Sequence, residues 1–409
     1  MALPRPLAFL FATMFLDAFG LGFIIPNLPD VIRRFGGDEA DSDRWFGLMI
    51  SVYAGMQFVA SPILGAISDR FGRRPVLLVS LLMAGLDYVL MAFAPTLTLL
   101  FVGRIISGLT GASMTVANSY IGDTSTDEDR AGRFGLLGAA WGAGFVAGPV
   151  IGGMLGGAYG VAAPFLAAAV LNLVNFGFGL VALPESLPRE SRRPVDLRSL
   201  NPLRSLLGSI RLAPGLMAAY AVYCLSFQAY PSLWTLYTER KFGWTAVDVG
   251  VSLGFLGVLI AVVQGWATKG IVARVGERRA AILGVAWSAV GFAMFAGASR
   301  GWMMYAILGL TSLSLVAGPA LQSLLTREAP PEAQGELQGS LVSINALTEI
   351  VGPLGYTALF SLAGRSGSPP GRLGLPFLAA SAIGAIGVAV LIRVRDRVPG
   401  PTEAVAVAE

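Results

Sequence analysis

Residues 65–75, with the sequence GAISDRFGRRP, separate two apolar segments that are each long enough to cross a membrane. Gly72 permits a tight turn, and the three arginines of this loop suit the surface of an anionic membrane leaflet. Asp69 can pair with a helix N-terminus or with a basic side chain from another part of the chain. Because such a contact can exist in only one conformational state, the loop predicts a conformational switch in a membrane protein.

The composition of the chain also favours a membrane protein. Of its 409 residues, 55% are hydrophobic and 13% are charged, whereas soluble domains carry ~25% charged residues. Apolar stretches of about 20 residues, enough to cross a ~30 Å hydrocarbon core as a helix, recur from end to end. We therefore expect neither a soluble enzyme nor a nucleic-acid-binding protein. The net charge of +4 does not alter this, because the placement of basic residues matters more than their sum in a membrane protein.

Missing residue types exclude further classes of protein. The chain has no histidine and a single cysteine, Cys224. Imidazole metal sites, histidine-based proteases and an intrachain disulfide are therefore excluded. The sequence also lacks the Gly-rich loop ending in Lys-Ser/Thr that binds ATP. We expect no catalytic residues, no metal site and no cofactor.

Apolar segments and turn signals predict twelve membrane helices joined mostly by short loops. Their predicted bounds are 7–32, 45–68, 75–94, 97–122, 132–156, 162–183, 212–238, 247–269, 279–298, 301–325, 336–363 and 373–393. The first apolar run contains Asp17 and exceeds the ~7–15 residues of a signal-peptide core, so we interpret it as a retained helix. The longest polar break follows helix six. It divides the chain into a six-helix bundle (1–188), a cytoplasmic linker (189–211), a second bundle (212–396) and a cytoplasmic tail (397–409).

The distribution of basic residues predicts the orientation. With the N-terminus inside, the inner loops and tails hold 20 of the 29 Lys and Arg residues and the outer loops hold 8. Cytoplasmic loops of membrane proteins carry such an excess. We therefore expect a multi-pass membrane protein with both termini in the cytoplasm.

The two halves resemble each other at a constant offset of 204 residues. Gly148-Pro149 recurs as Gly352-Pro353, Gly135 recurs as Gly339, and Arg70 and Gly72 recur at 274 and 276. Parallel six-helix repeats around a midplane cavity are a common transporter plan. The sequence thus predicts an all-α membrane protein made of two pseudo-symmetric six-helix bundles.

Helix five carries a glycine stripe. Gly144, Gly148, Gly152 and Gly156 recur every four residues, so a neighbouring helix can approach backbone to backbone, and Pro149 removes one hydrogen bond of the helix. Tight packing alone would explain the glycines. The Gly-Pro placement favours a conformational role as well. The predicted switch residues are Gly65, Asp69, Arg70, Gly72, Arg73, Arg74, Gly144, Gly148, Pro149 and Gly152.

The 65–75 loop resembles the loop signature of the major facilitator superfamily, and the helix-five stripe is similar to the antiporter signature of its drug/proton subgroup. Further strings resemble the bacterial tetracycline/proton antiporters, and together they cover essentially the whole chain: 16–29, 80–88, 103–112, 242–244 and 319–322. The resemblance implies the twelve-helix major facilitator fold and a proton-coupled antiporter that exports a tetracycline-like or other hydrophobic drug. The expected partners are a small-molecule drug, protons as the coupling ion and the bilayer, and we expect a monomer. The resemblance leaves open whether a divalent cation accompanies the drug.

Four ionisable residues lie inside predicted helices: Asp17, Asp87, Arg104 and Glu349. A charge at the bilayer centre costs at least ~2.5 kcal/mol, so such groups are candidates for function. Low dielectric favours a neutral carboxyl group, whereas a nearby guanidinium favours the charged form. We hypothesise that Asp17 or Asp87 loads and releases a proton as its distance from Arg104 changes. The alternative is a permanent ion pair that only holds helices together.

The chain departs from the tetracycline exporters in its second half. Those exporters carry a histidine in helix eight and an aspartate in helix nine, and the corresponding positions here are Ile260 and Ser288. Glu349 in helix eleven is instead a second proton site, a counter-ion for a cationic drug or a water-facing acid. Polar and aromatic residues on cavity-facing helix sides are the predicted drug contacts: Tyr53, Gln57, Asn118, Gln228, Tyr230, Trp234, Gln264, Gln322 and Asn345. A proton symporter or facilitator for a small metabolite is the alternative function.

Overall fold

The computed structural model describes residues 5–36, 38–111, 113–192, 213–329, 334–364 and 370–394. Most of the predicted linker, from residue 193 onward, and the predicted tail (397–409) lie outside these ranges. Within them the structure consists of helices and their connections. The all-helical prediction is confirmed.

Twelve apolar helical segments follow one another in the described chain, and we label them α1 to α12. Their bounds are α1 Arg5–Ile24, α2 Glu39–Phe71, α3 Arg73–Ala92, α4 Leu97–Thr124, α5 Asp127–Tyr159, α6 Ala162–Ala182, α7 Pro214–Phe227 with Ala229–Phe242, α8 Ala246–Val275, α9 Glu277–Gly297, α10 Gly301–Glu328, α11 Gln334–Ala363 and α12 Leu375–Arg393. Eleven of them are each long and apolar enough to cross a membrane. The exception is α7, which consists of two 14-residue helices.

The first helix is shorter than predicted. It ends at Ile24, and a separate six-residue helix covers Leu28–Arg33. Pro26 has no amide hydrogen to continue the ladder, so the helix must break near it. The buried side chain of Asn27 donates to the freed carbonyl of Phe23 (2.8 Å) and to that of Gly152 in α5 (3.0 Å). The break is thereby tied to the neighbouring helix.

Two helices begin earlier than predicted because polar residues cap them. The α2 helix starts at Glu39, where Asp38 accepts a hydrogen bond from the backbone of Asp41 (2.7 Å). In the same way Thr126 precedes α5. Hydrophobicity alone placed both starts at the first apolar residue, whereas a side-chain cap can begin a helix in a polar segment.

Three later helices contain irregular turns. The α7 helix is interrupted at Gln228, α8 contains a π turn at Val263–Ala267, and α10 contains a 3-10 turn at Ser312–Val316. Such turns inside helices often accompany functional sites. They free backbone groups in the second half of the chain, where the sequence predicts several drug contacts.

The glycine stripe of α5 packs against α1, as its spacing predicts. A Cβ atom on Gly148 would lie 2.6 Å from the carbonyl oxygen of Phe19 and 2.9 Å from the Cα of Gly22. Gly144 and Gly152 meet the backbone of α1 in the same manner, near Phe15 and Phe23. Only glycine permits this approach, because any side chain would separate the two backbones.

The Gly-Pro pair of α11 occupies the equivalent position in the second half. A Cβ atom on Gly352 would lie 2.5 Å from the Cβ of Gln228 in α7. The other faces of α5 and α11 contact the opposite half of the molecule. Gly250 of α8 lies against the carbonyl of Pro149 in α5, and Gly47 of α2 lies against the carbonyl of Pro353 in α11. Each repeat therefore places one Gly-Pro helix between its own first helix and a helix of the other repeat.

We call the end of the molecule at which α1 begins the inner end, following the predicted orientation, and the opposite end the outer end. Because successive helices alternate in direction, the α2–α3 turn lies at the inner end. The connections after α1 and α7 lie at the outer end.

We expect Gly148→Ala to lower the melting temperature in detergent by several degrees, because the added methyl group meets backbone and overpacking costs roughly 1–3 kcal/mol. The matched control is Gly142→Ala, also within α5, where a Cβ atom would meet nothing within 4 Å. Alanine favours a helix over glycine by roughly 0.5–1 kcal/mol, so this variant should melt at the wild-type temperature or above it. Equal melting temperatures for the two variants would contradict the backbone contact.

Candidate functional site

A cavity of about 60 Å³ lies inside the first half and is lined by residues of all six of its helices, α1 to α6. Its lining includes four of the predicted site residues: Asp17, Tyr53, Gln57 and Arg104. Sites for drug-sized ligands occupy roughly 300–1,000 Å³. The cavity therefore has room for a few water molecules and not for a drug in this conformation.

Asp87 and Arg104 are linked through one hydroxyl group. Arg104 Nη2 donates to Ser107 Oγ (3.0 Å), and Ser107 Oγ in turn donates to Asp87 Oδ2. Both charged residues are almost fully buried: 4% of the surface of Arg104 and 3% of that of Asp87 are exposed. Asp87 Oδ1 and Arg104 Nε are buried without a hydrogen-bond partner. Leaving buried polar atoms unsatisfied is costly, so this linkage is poised to exchange partners.

Asp17 lies on another wall of the same cavity. It lines this cavity from α1. Within the described chain Arg104 makes no ion pair within 4.0 Å, so it is not locked directly to either Asp17 or Asp87. No direct ion pair joins Arg104 to either carboxylate in this conformation, and the role of these charges stays a prediction.

Tyr53 and Gln57 share one face of α2, as their spacing predicts. The guanidinium carbon of Arg104 lies 5.6 Å from the centroid of the Tyr53 ring, within range of a cation–π interaction. Gln57 Nε2 donates to the carbonyl of Gly111 (2.7 Å), at the point where α4 is interrupted. Asn118 lies further along α4, is partly buried and does not line the cavity.

A second polar cluster lies in the C-terminal half and centres on Tyr220 of α7. Its hydroxyl accepts hydrogen bonds from Gln322 Nε2 (3.2 Å) and Asn345 Nδ2 (3.0 Å). Cys224 Sγ donates to Asn345 Oδ1 (3.1 Å). Two predicted drug contacts thus meet at a tyrosine that the sequence analysis did not select.

Glu349 lies one helical turn beyond Asn345 on α11. Its side chain is exposed. A Cβ atom on Gly55 of α2 would lie 3.8 Å from the side chain of the neighbouring Ile350, so this part of α11 borders the first half. Gln264, in the π turn of α8, is exposed as well, and Gln228 is buried at the break in α7.

Tyr230 and Trp234 belong to a packed aromatic cluster at the outer part of α7. The Tyr230 ring centroid lies 5.0 Å from that of Phe292, and Trp234 lies 5.4 Å from Phe295. Trp234 Nε1 donates to Ser252 Oγ (2.8 Å), so its polar atom is satisfied within the protein. Neither residue lines the cavity around Arg104. Their role as drug contacts stays a prediction.

Ion pairs join the two halves at the outer end. Arg240 of α7 lies 2.9 Å from Asp43 and 3.3 Å from Glu39, both in α2. Arg33, just after α1, lies 2.5 Å from Glu239. The Asp43 side chain is buried, so this pair is shielded from solvent more than a surface pair. These contacts hold the outer end closed.

The inner end shows a different arrangement. The predicted 65–75 loop is reduced to Gly72, because α2 continues to Phe71 and α3 begins at Arg73. Asp69, in the last turn of α2, pairs with Arg73 of its own half (2.6 Å), and its side chain is 47% exposed. Arg73 also reaches Asp123 (3.1 Å) and Ser68 (2.5 Å). Gly72 adopts a φ of 107°, which favours glycine. Among the residues for which positions are described, no ion pair joins the halves at this end.

The sequence profile of the Major Facilitator Superfamily matches residues 10–353. The chain belongs to this superfamily. Among the relatives of this superfamily member, the class C tetracycline resistance protein of Escherichia coli is 41% identical over 351 residues, which are 85% of this chain and 88% of the relative. The class D protein of Salmonella ordonez is 35% identical over 395 residues, 97% and 98% of the two chains.

Solved structures of other transporters share the fold of this superfamily member. An inward-facing, unoccupied bacterial homologue of the human lysosomal transporter Spinster superposes with a TM-score of 0.76 at 15% identity, covering 96% of this chain and 97% of that one. A human organic anion transporter superposes with a TM-score of 0.68 at 23% identity, covering 95% and 99%. At such identities the likeness concerns the fold alone.

Several cavity residues were missed by sequence reasoning. Ser107 joins Asp87 to Arg104, and Tyr88, Trp141 and Asn172 complete the lining. Ser107 stands three residues after Arg104, a spacing that places it on the same helix face, so helical periodicity could have found it. The other three come from separate helices, and only the packing brings them together.

We expect Asp87→Asn and Arg104→Gln to show coupled effects on the free energy of unfolding in mixed micelles. Each single change leaves a buried charge without its partner, whereas the double change removes both charges. The coupling energy should be roughly 1–3 kcal/mol.

The matched control cycle is Asp41→Asn with Arg44→Gln, an exposed pair 3.7 Å apart. Exposed pairs typically couple by no more than ~1 kcal/mol. If the effects of the Asp87 and Arg104 changes on the free energy of unfolding are additive within error, the linkage through Ser107 does not contribute to stability.

Proposed function

We propose that this chain is a proton-coupled antiporter that exports a tetracycline-like or other amphipathic, hydrophobic drug by alternating access. The observation that carries the proposal is the buried linkage from Asp87 through Ser107 to Arg104, with Asp17 on the same cavity. The tetracycline resistance relatives support the choice of drug. The antiporter-like stripe of α5 supports export against uptake.

Protons and drug are coupled in this proposal by competition for the charge of Arg104. A carboxyl group in low dielectric binds a proton when no cation is near and releases it when a guanidinium approaches. Ser107 donates to Asp87 and accepts from Arg104. In this proposal a change in the charge of Asp87 therefore changes the position of Arg104. Movement of α4 against α3 would change that geometry and with it the affinity of Asp87 for a proton.

The two ends of the molecule supply the alternation. The pairs Arg240–Asp43 and Arg33–Glu239 close the outer end and must break before a drug can leave there. At the inner end Asp69 stays within its own half and is free to contact the other half when that end closes. The proposal therefore assigns the structure to a state in which the outer end is closed.

Glu349 serves in this proposal as the charged group of the second half. It lies where α11 borders the first half, and there it can attract a cationic drug or carry a second proton. Positions 260 and 288, where the tetracycline exporters carry ionisable residues, hold isoleucine and serine here. We propose further that the chain acts as a monomer in a bacterial inner membrane with both termini in the cytoplasm. We expect it to need no resident cofactor.

The alternative is a proton symporter or facilitator for a small metabolite. A symporter would carry its substrate inward with protons, so its expression would not raise the tetracycline concentration that stops bacterial growth. An exporter would raise it. Growth protection therefore separates the two directions of transport.

The proposal is tested in everted membrane vesicles that hold a pH gradient. Addition of tetracycline should dissipate the gradient with the wild-type protein, because drug and protons move in opposite directions. Asp17→Asn and Asp87→Asn each remove a titratable group, and we expect at least one of them to reduce this response tenfold or more.

The control is Asp41→Asn, the same change at a side chain that is 59% exposed. It should respond as the wild type does. An unchanged response in both Asp17→Asn and Asp87→Asn would contradict the assignment of the proton site to either residue.

A further inference from the structure

A second, open cavity of about 600 Å³ lies at the inner end, between the start of α3 and the end of α6. It is lined by three arginines, Arg74, Arg189 and Arg192, together with Glu185 and apolar side chains such as Phe71 and Leu180. It lies in the first half alone and shares no lining residue with the cavity around Arg104. The proposed transport cycle does not use it.

The one carboxylate of this cavity is already occupied. Glu185 Oε1 accepts hydrogen bonds from the backbone amides of Arg73 (2.8 Å), Ser186 (3.0 Å) and Leu187 (3.1 Å). These bonds hold the segment after α6 against the α2–α3 turn. Arg192 Nη2 approaches the other carboxylate oxygen only to 4.0 Å. The carboxylate is therefore committed to backbone donors and offsets the positive charge of the arginines only in part.

The arginines have spare donors. Arg74 Nη2 donates to the carbonyl of Leu180 (2.7 Å), but its Nε is buried without a partner, and so is the Nε of Arg192. Arg189 forms no ion pair or side-chain hydrogen bond with any described residue. Three guanidinium groups that share one partly committed carboxylate in the wall of one cavity favour an anionic oxygen ligand.

The surroundings of the cavity are apolar and exposed. Phe71 at its rim is 55% exposed, and Val181 beside it is 87% exposed. Val79 and Leu86 continue this surface along α3 toward the middle of the helix. A ligand here therefore has its anionic group on the arginines and an apolar part that can extend along the outside of the bundle.

We propose that this cavity binds the phosphate group of an anionic phospholipid from the leaflet at the inner end, with the acyl chains against α3 and α6. A cluster of guanidinium groups matches a phosphate diester, and basic pockets between membrane helices at the cytoplasmic side bind such head groups. A soluble organic phosphate offers the same kind of anionic oxygens but leaves the adjoining apolar surface uncovered. The lipid would attach the start of the connection between the halves to the membrane.

The test measures lipid binding to the purified full-length protein by native mass spectrometry. Dioleoyl phosphatidylglycerol is added to delipidated protein in detergent, with dioleoyl phosphatidylcholine and glycerol 3-phosphate in parallel. We expect one tightly bound phosphatidylglycerol, with weaker binding of the other two compounds. In Arg189→Gln/Arg192→Gln the affinity for phosphatidylglycerol should fall roughly thirtyfold, since two basic groups near the head group are lost.

The matched control is Arg274→Gln/Arg279→Gln, which removes two exposed arginines from the inner end of the second half. It should retain wild-type affinity, and both double variants should melt at the wild-type temperature in lipid-free detergent. Equal loss of affinity in the two double variants, or no loss in the first, would overturn the site. Glycerol 3-phosphate binding as tightly as phosphatidylglycerol would overturn its assignment to a lipid.

Discussion

One hydroxyl group stands between two opposite charges in the interior of this membrane protein. Ser107 lies between Asp87 and Arg104, so neither charge is isolated, yet the two are not fused into a direct ion pair. A direct pair would be stable and inert, and isolated charges would be too costly to bury. The bridged arrangement permits both the charged and the neutral form of the carboxyl group. In the proposed cycle, transport driven by protons depends on that freedom.

The rest of the fold positions this linkage and allows it to move. Glycines bring α5 against α1, which carries Asp17, and Gly352 brings α11 against α7. The same two helices, α5 and α11, also touch the opposite half, so a displacement of one half is transmitted to the helices that surround the charges. The ion pairs at the outer end fix one of the two arrangements. The internal repeat thus gives two related contacts about which the halves can rock.

Much of this was predictable because helical periodicity and hydrophobicity are local properties. The number of helices, the glycine stripe of α5, the shared face of Tyr53 and Gln57, and the buried charges all follow from spacing along the chain. The end of α1 and the start of α2 were not predictable in this way. Pro26 interrupts an apolar segment that continues past it, and Asp38 caps a helix that begins before the apolar segment does. Contacts between distant helices were also out of reach. Arg240 and Asp43 are nearly two hundred residues apart, and no local pattern pairs them.

The most direct measurement follows the movement of tetracycline into liposomes that contain the purified protein, with the voltage clamped by potassium and valinomycin. With a pH difference the drug should accumulate against its concentration gradient. When an ionophore collapses the pH difference, accumulation should stop at equal concentrations inside and outside. Transport at the same rate and to the same final level in both conditions would contradict competition between protons and drug for the charges around Arg104.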